Sequence, residues 1–418
     1  MNRHTLLLHV KKNLLPARVL DTLLGEDLTV VTEPGHLQQY PSQVRVLEVD
    51  NAQDAVAVRS AATVASARRP LDAVVCPFEL AAPAAGFLRT SLGLPGIGFE
   101  TATLFCDKHL MRRRTLEAGV PAPSNLLAWS VDQVRDAGER LGWPVVIKPA
   151  IGGGTIGVAV LHGPDEVDRA PGVVDGGLAS PVVVESHVPV TAEYHCDGVV
   201  WDGAVVFAAV SRYLRPLLDC PPEWNGSWVL PDDDPTAVTL REWHARTVQA
   251  LGLRAGVTHM EFLEGPHGLL AGEIACRPSG GAVPAAVERQ FGVDLWRAFL
   301  DTAFQRPPSV RPRRRPKIVV NYHLPVAPGR ITALSSASTL AQQPEVVAVD
   351  MQRAVGDVVP DVYNSSYASG TVLLEIDDPA RIEPVLRGLQ GRYVFEVESV
   401  SPRSGARVPV PQPVGSTS

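Results

Sequence analysis

The first hundred residues alternate short β-branched apolar runs with longer stretches whose apolar positions recur at helical spacing. "TLLLHV", "LTVVT", "RVLEV" and "LDAVVCPFE" read as buried strands, and "NAQDAVAVRSAATVASARR" reads as a helix between them. Such alternation predicts a parallel sheet, so residues 1–106 are expected to form an open α/β domain. The pattern then changes. In "DKHLMRRRTLEAGVPAPS", Asp107 can cap a helix, Gly119 can end it, and Pro121 and Pro123 force an extended exit. Ser130 with Gln133 three positions on is a capping-box pair for a further helix that closes at "LGWP". "TAVTLREWHARTVQALGL" carries Leu240, Trp243, Thr247 and Leu251 at helical spacing.

After that helix, "VTHMEFLEGPHGLLAGEIACRPSGG" reads as strand, turn and strand. "RPPSVRPRRRPK" is dense in proline and arginine, which predicts an extended, solvated connector. Apolar strands and two short helices ("SSASTLAQQ", "DPARIEPVLRGLQ") follow it. The expected organisation is mixed α/β and α+β. An amino-terminal α/β domain (1–106) precedes two α+β subdomains (107–190 and 191–310), a linker (311–317), a small α+β domain (318–405) and a disordered tail (406–418).

Composition narrows the class of partner. Of 418 residues, 45% are hydrophobic, enough for several buried cores, and the formal net charge of -7 argues against a nucleic-acid binder. Five cysteines with no C-x-x-C pair point to reduced thiols rather than a disulfide framework or zinc site. "HTLLLHVKK" is too short in its apolar core for a signal peptide, and no later run approaches a membrane span. A cytoplasmic protein acting on small molecules, a homodimer by the usual habit of soluble enzymes, is expected.

Candidate chemistry begins at "VVIKPAIGGGTIGVAVL", where Gly152, Gly154 and Gly157 match G-x-G-x-x-G. The dinucleotide fingerprint requires a helix after the glycines, and here another strand follows; a Walker loop has its lysine after the glycines, whereas Lys148 precedes them. What remains is a hairpin loop (Gly153, Gly154, Thr155, Gly157) whose amides can approach phosphate oxygens closely, acting as a lid, with Lys148 adding charge from the preceding strand.

In the later strand pair, positions 261 and 273 are symmetric about the turn, so Glu261 and Glu273 are expected to face each other. Facing carboxylates repel unless a cation sits between them, and Mg²⁺ takes such ligands together with substrate phosphates; Mn²⁺ is an alternative. Arg277 can hold a planar anion. In "VVVESHVPVTAEYHCDG", read as a strand and a loop with Glu185, Glu193 and Asp197, Glu185 and the Val188 amide could read an adenine ring and Glu193 a ribose. Arg212, Tyr213 and Arg215 could grip a substrate carboxylate, and the loop with Ser279 and Gly280 could add donors.

Taken in order, "DKHLMRR", "VVIKPAIGGGTIGV", "VVVESHVPVTAEYHCDG" and "MEFLEG…GEIACRPSGG" resemble the ATP-grasp superfamily over about residues 70 to 290. The carboxyl-terminal region is similar to the extra domain of the branch that holds biotin carboxylase and the L-amino acid ligases. The resemblance implies that two subdomains grip ATP and that Lys108 and Lys148 contact its phosphates. It implies adenine contacts for Glu185 and Val188, a ribose contact for Glu193, metal binding by Glu261 and Glu273, and an acyl-phosphate contact for Arg277. One departure is Ala275, where many members have Asn.

The function so implied is an ATP-dependent carboxylate-amine ligase acting on an amino acid or similar small acid through an acyl phosphate, with ADP and phosphate as products. A carboxylase or purine-type ligase that activates bicarbonate or formate is an alternative reading. A nucleotide-binding module that has lost catalysis is another.

Overall fold

A computed structural model describes residues 2–10, 15–35, 40–153, 156–218, 220–361 and 368–399. The expected tail, and Gly154 and Thr155 of the glycine loop, lie outside the described residues.

The apolar runs at the start of the chain form a four-stranded parallel sheet. Its order is Arg45–Glu48, Asp27–Thr32, His4–Leu8, Ala73–Val75. Helix Ala55–Ser66 begins at Asp54, whose carboxylate accepts from the amides of Val56 and Ala57. Helix Ala82–Leu92 follows the last strand and ends at Gly93.

A second, antiparallel sheet runs Asn125–Ala128, Val182–Ser186, Val145–Pro149, Ala159–Leu161. Its helix, Val131–Leu141, starts as the capping pair predicts: Ser130 accepts from the Gln133 amide, and Gln133 reaches back to the amide of Trp129 at 2.7 Å. Helix Lys108–Glu117 is capped by Asp107.

The third sheet has eight antiparallel strands: Gly268–Ala275, Gly256–Gly265, Ala192–Trp201, Ala204–Tyr213, Gly226–Val229, Ile318–Leu324, Gly370–Ile376 and Val346–Met351. Three carboxyl-terminal strands, Ile318–Leu324, Gly370–Ile376 and Val346–Met351, therefore continue the central sheet, while Gly329–Leu334, Val358–Val359 and Phe395–Glu398 form a separate three-stranded sheet. Helices Val283–Phe291 and Leu295–Ala303, unforeseen in the sequence, carry Val287 and Phe299 into one core with Leu7, Val30 and Val199. That shared core joins the parallel sheet to the central sheet.

The proline-arginine run is extended and mostly exposed, and it is also tied down. Arg313 and Arg315 donate backbone hydrogen bonds to Phe291 and Gln290, and the Gln290 amide returns bonds to the carbonyls of Arg315 and Lys317. Arg314 stacks on Phe291 and pairs with Asp232. The run is a strap laid across helix Val283–Phe291, because a proline-rich backbone has few amides of its own to satisfy but carbonyls and arginines to offer.

Candidate active site

The glycine loop is anchored where helix Lys108–Glu117 begins. The Lys108 amide donates to the Ala150 carbonyl at 2.9 Å, Asp107 forms a bridge with Ile151, and Lys108 Nζ donates to the Gly152 carbonyl. The same ammonium lies 3.2 Å from Glu273 Oε2. Lys148, at the end of its strand, places Nζ 3.0 Å from Glu273 Oε1 and 2.8 Å from Glu185 Oε2. Arg112, one turn along the capped helix, donates Nε and Nη2 to Glu185 Oε1 at 3.2 and 3.0 Å. Its Nη1 reaches the carbonyls of Ala271 and Gly272.

Lys148 and Glu185 are buried and Glu273 is half-buried, and burial opposes the charged form of each of these three. For Glu273 the opposing pull of Lys148 and Lys108 wins, taking its carboxyl down to about 2. Burial likewise works against charge on Lys148 and Glu185. Glu273 and Glu185 nevertheless hold the Lys148 ammonium above its ordinary value, and Arg112 and Lys148 hold Glu185 below its own. The arrangement is a fixed row of charges along the wall of a cavity of about 570 Å³.

Glu261 and Glu273 meet at a β-bulge. Pairing runs Gly265 with Gly268 to Phe262 with Ala271, then resumes one residue out of step at Met260 with Ile274. Glu261 thus faces the two residues Gly272 and Glu273 together. The bulge is possible because position 272 is glycine: a Cβ there would lie 2.8 Å from the Glu261 carbonyl oxygen.

Glu193 adds a third carboxylate to this cavity. Its Oε2 accepts from the Leu217 amide at 2.7 Å, yet burial, and then the neighbouring charge of Glu261, push its pKa up to about 8. Glu193, Glu261 and Glu273 thus line one cavity. Glu261, Glu273 and Glu193 are hard oxygen donors, so the residues fit a divalent cation such as Mg²⁺.

A smaller cavity of about 210 Å³ adjoins the first, and Glu261, Gly153 and Leu217 line both. Its wall is drawn from distant parts of the chain: Glu79 follows the parallel sheet, Tyr213 and Ser227 are in the central sheet, and Asn321 and His323 are in the carboxyl-terminal strands. Behind it runs a buried polar chain. Asn321 donates to Ser227 at 2.6 Å, and Ser227 meets His195 Nε2 at 2.8 Å. Asp197 then bridges His195 Nδ1 (2.6 Å) and His259 Nδ1 (3.0 Å). Burial opposes charge on His259, but Asp197 and Glu261 raise its pKa to about 9. Tyr213 donates to Glu261 at 3.3 Å and closes the circuit.

The matching family model is the carbamoyl-phosphate synthase L chain, ATP binding domain, over residues 107–172, the segment that carries both lysines and the glycine loop. The chain is 27% identical to the L-arginine-specific L-amino acid ligase of Bacillus subtilis over 379 residues, 89% of this chain and 91% of that one. It is 23% identical to dapdiamide A synthase of Enterobacter agglomerans over 69% and 71% of the two chains. The structure superposes on the L-amino acid ligase of Bacillus licheniformis with a TM-score of 0.77, covering 95% of this chain and 99% of that one at 20% identity. The chain has the ATP-grasp fold. Its large antiparallel sheet and helices are those of the ATP-grasp fold.

The ATP-grasp cavity collects Lys108, Lys148, Gly153, Glu185, Val188, Glu193, Glu261 and Glu273 on its wall, while Gly157 lies just beyond, packed on Pro149. Arg277, Ser279, Gly280 and Tyr213 line the smaller cavity instead. Several expectations need correcting. Glu193 and Asp197 stand in strand Ala192–Trp201 rather than in a loop, and Asp197 is fully buried. The carboxylate of Glu185 pairs with Arg112 and Lys148 on the wall of the larger cavity.

Arg215 lies over Trp224, pairs with Glu383 and lines the larger cavity, while Arg212 lies over the Tyr194 ring; neither lines the smaller cavity. Tyr213 donates to Glu261 and lines the smaller cavity. Arg112, Glu79, Asn321 and His323 were not singled out from the sequence. Glu79 alone had a usable signal there, since it follows the carboxyl end of a parallel strand, where open α/β sheets place their ligands.

Proposed function

We infer that the protein is an ATP-dependent carboxylate-amine ligase whose carboxylate substrate is an amino acid. The observation that carries this reading is Glu261, which lies on the wall of both cavities and so stands between a nucleotide-sized space and a smaller one that suits a small substrate. The names of the relatives, an L-amino acid ligase and a dapdiamide synthase, support the substrate class.

ATP occupies the larger cavity in this reading, with the segment 186–190 against adenine, Glu193 at the ribose, and Lys108, Lys148 and the glycine loop at the phosphates. Glu261 and Glu273 would hold Mg²⁺, which supplies neutralisation of the phosphate charge. A carboxylate oxygen of the amino acid attacks the γ-phosphorus, the bond to the β-phosphate oxygen breaks, and ADP leaves with an acyl phosphate in place. An amine then forms the C–N bond and phosphate departs; being a base, it can take the amine's proton. The residues contribute position and charge, which is most of what phosphoryl transfer requires. Arg277, on the wall of the smaller cavity, steadies the acyl phosphate. The five cysteines are buried free thiols, consistent with a reducing cytoplasm where ATP and amino acids are at hand. Among the described residues, no helix is long and apolar enough to cross a membrane.

Incubation with Mg-ATP and an amino-acid library should release ADP and phosphate only when an acid and an amine are both accepted. Formation of AMP and pyrophosphate would overturn the acyl-phosphate route.

A further inference from the structure

One ion pair in the smaller cavity is not used by the chemistry above. Glu79 opens the short turn Glu79–Ala81 after the last strand of the parallel sheet, and Arg277 follows the metal-facing hairpin. Arg277 donates Nε and Nη2 to a single oxygen, Glu79 Oε2, at 3.1 and 2.7 Å. The other oxygen, Oε1, accepts no hydrogen bond among the described residues. Both side chains remain partly accessible, at 21% and 15%, and both line the cavity. Beside them Ser279 is 4% exposed, and its Oγ is buried without a partner.

A bidentate bridge uses both carboxylate oxygens, whereas this one leaves half of Glu79 facing the cavity. The wall therefore offers one anion, one cation and one unsatisfied hydroxyl within a space smaller than the ~300 Å³ at which drug-sized pockets begin. That is the complement of a small zwitterion. A ligand bearing an ammonium and a carboxylate can exchange the protein's own ion pair for two of its own without leaving a buried charge unpaired.

Resting on the ligase reading, we propose that Glu79 is the counter-ion of the α-ammonium group of the carboxylate-donating amino acid, and so selects amino acids over simple acids. The donor, not the acceptor, is the ligand that fits. The acceptor's amine must be neutral to attack, and an anionic partner would hold it protonated, whereas the donor's ammonium is a spectator whose charge can be held throughout. Engaging Glu79 also frees Arg277 to meet the acyl phosphate, so the amino group of the correct donor releases the arginine that the reaction uses.

The experiment compares matched donors, an α-amino acid and the acid of the same skeleton with hydrogen in place of the ammonium, at a fixed acceptor with Mg-ATP, read as phosphate release. Wild type should prefer the amino acid by about 100-fold in kcat/KM, and E79Q should lower that preference by about tenfold or more, through the donor's KM, with the KM for ATP as internal reference. E79D should recover part of it. Equal use of both donors by wild type, or an unchanged preference in E79Q, overturns the proposal. The wild-type ratio needs no variant, so it decides the matter even where E79Q fails to fold. Absence of ADP and phosphate with every donor would instead remove the ligase reading, and this inference with it.

Discussion

Glu273 stands between two ammonium groups, and its contact with Lys148 is the shorter, 3.0 Å against 3.2 Å to Lys108. The carboxylate ties the second sheet to the central sheet through a charge-assisted hydrogen bond. ATP phosphates can take over both lysines only if something else then balances Glu273, which is where a divalent cation fits. Replacing it, Glu273→Gln, should cut phosphate release by about 10²-fold or more, the scale seen when one preorganised charge is lost from a reaction site. Unchanged rates at saturating Mg²⁺ would refute the metal role.

Glu193 gives a pH signature. Its pKa rises from an ordinary 4.5 to about 8 on folding, chiefly through burial and then through Glu261. The folded state thus binds more protons than the unfolded state between those values, so this group's contribution to stability is complete below 4.5 and is lost as pH rises through 8. Without nucleotide, the melting temperature of wild type should decline from pH 5 to 8.5 relative to Glu193→Gln, as followed by calorimetry. Parallel curves for the two proteins would show that Glu193 is ionised throughout.

Gly272 is needed for the bulge rather than for flexibility. Adding one methyl as Gly272→Ala places a carbon 2.8 Å from the Glu261 carbonyl oxygen, and overpacking of this kind costs about 1–3 kcal/mol. Because the strain falls at the metal-facing pair, the Mg²⁺ concentration for half-maximal activity should rise as well. A denaturant melt and a Mg²⁺ titration on the same preparation test both effects.

Asp197 is fully buried between His195 and His259, and its carboxyl is held well below the usual range by the two histidines in spite of burial. Asp197→Asn removes the charge that both rings face. The loss should be about 3 kcal/mol or more of unfolding free energy, the scale of breaking a buried pair from one side. A variant as stable as wild type in urea would mean that the histidines are neutral.

Much of the site was legible because its chemistry is local in sequence. The lysine before the glycines excluded two common phosphate loops, and the symmetry of positions 261 and 273 about a tight turn placed two carboxylates together, since hairpin pairing is fixed by the turn. The bulge that shifts their register by one residue was not legible: it depends on the close approach of Gly272 to Glu261 across the strand pair. Arg112 was hidden in a run of three arginines, of which only burial against Glu185 distinguishes one.

By itself, then, the sequence determined the elements and the reactive types: apolar periodicity sets strand and helix, and a lysine, a glycine loop and paired glutamates can do only a few things. The tertiary structure alone decided the substrate side. Glu79, Arg277, Asn321 and His323 are separated by up to 244 positions (323 less 79) and share one cavity only because helices Val283–Phe291 and Leu295–Ala303 pack the parallel sheet onto a central sheet that the carboxyl-terminal strands extend. Contacts between distant segments depend on which apolar faces bury against each other, and no local pattern of residues encodes that choice.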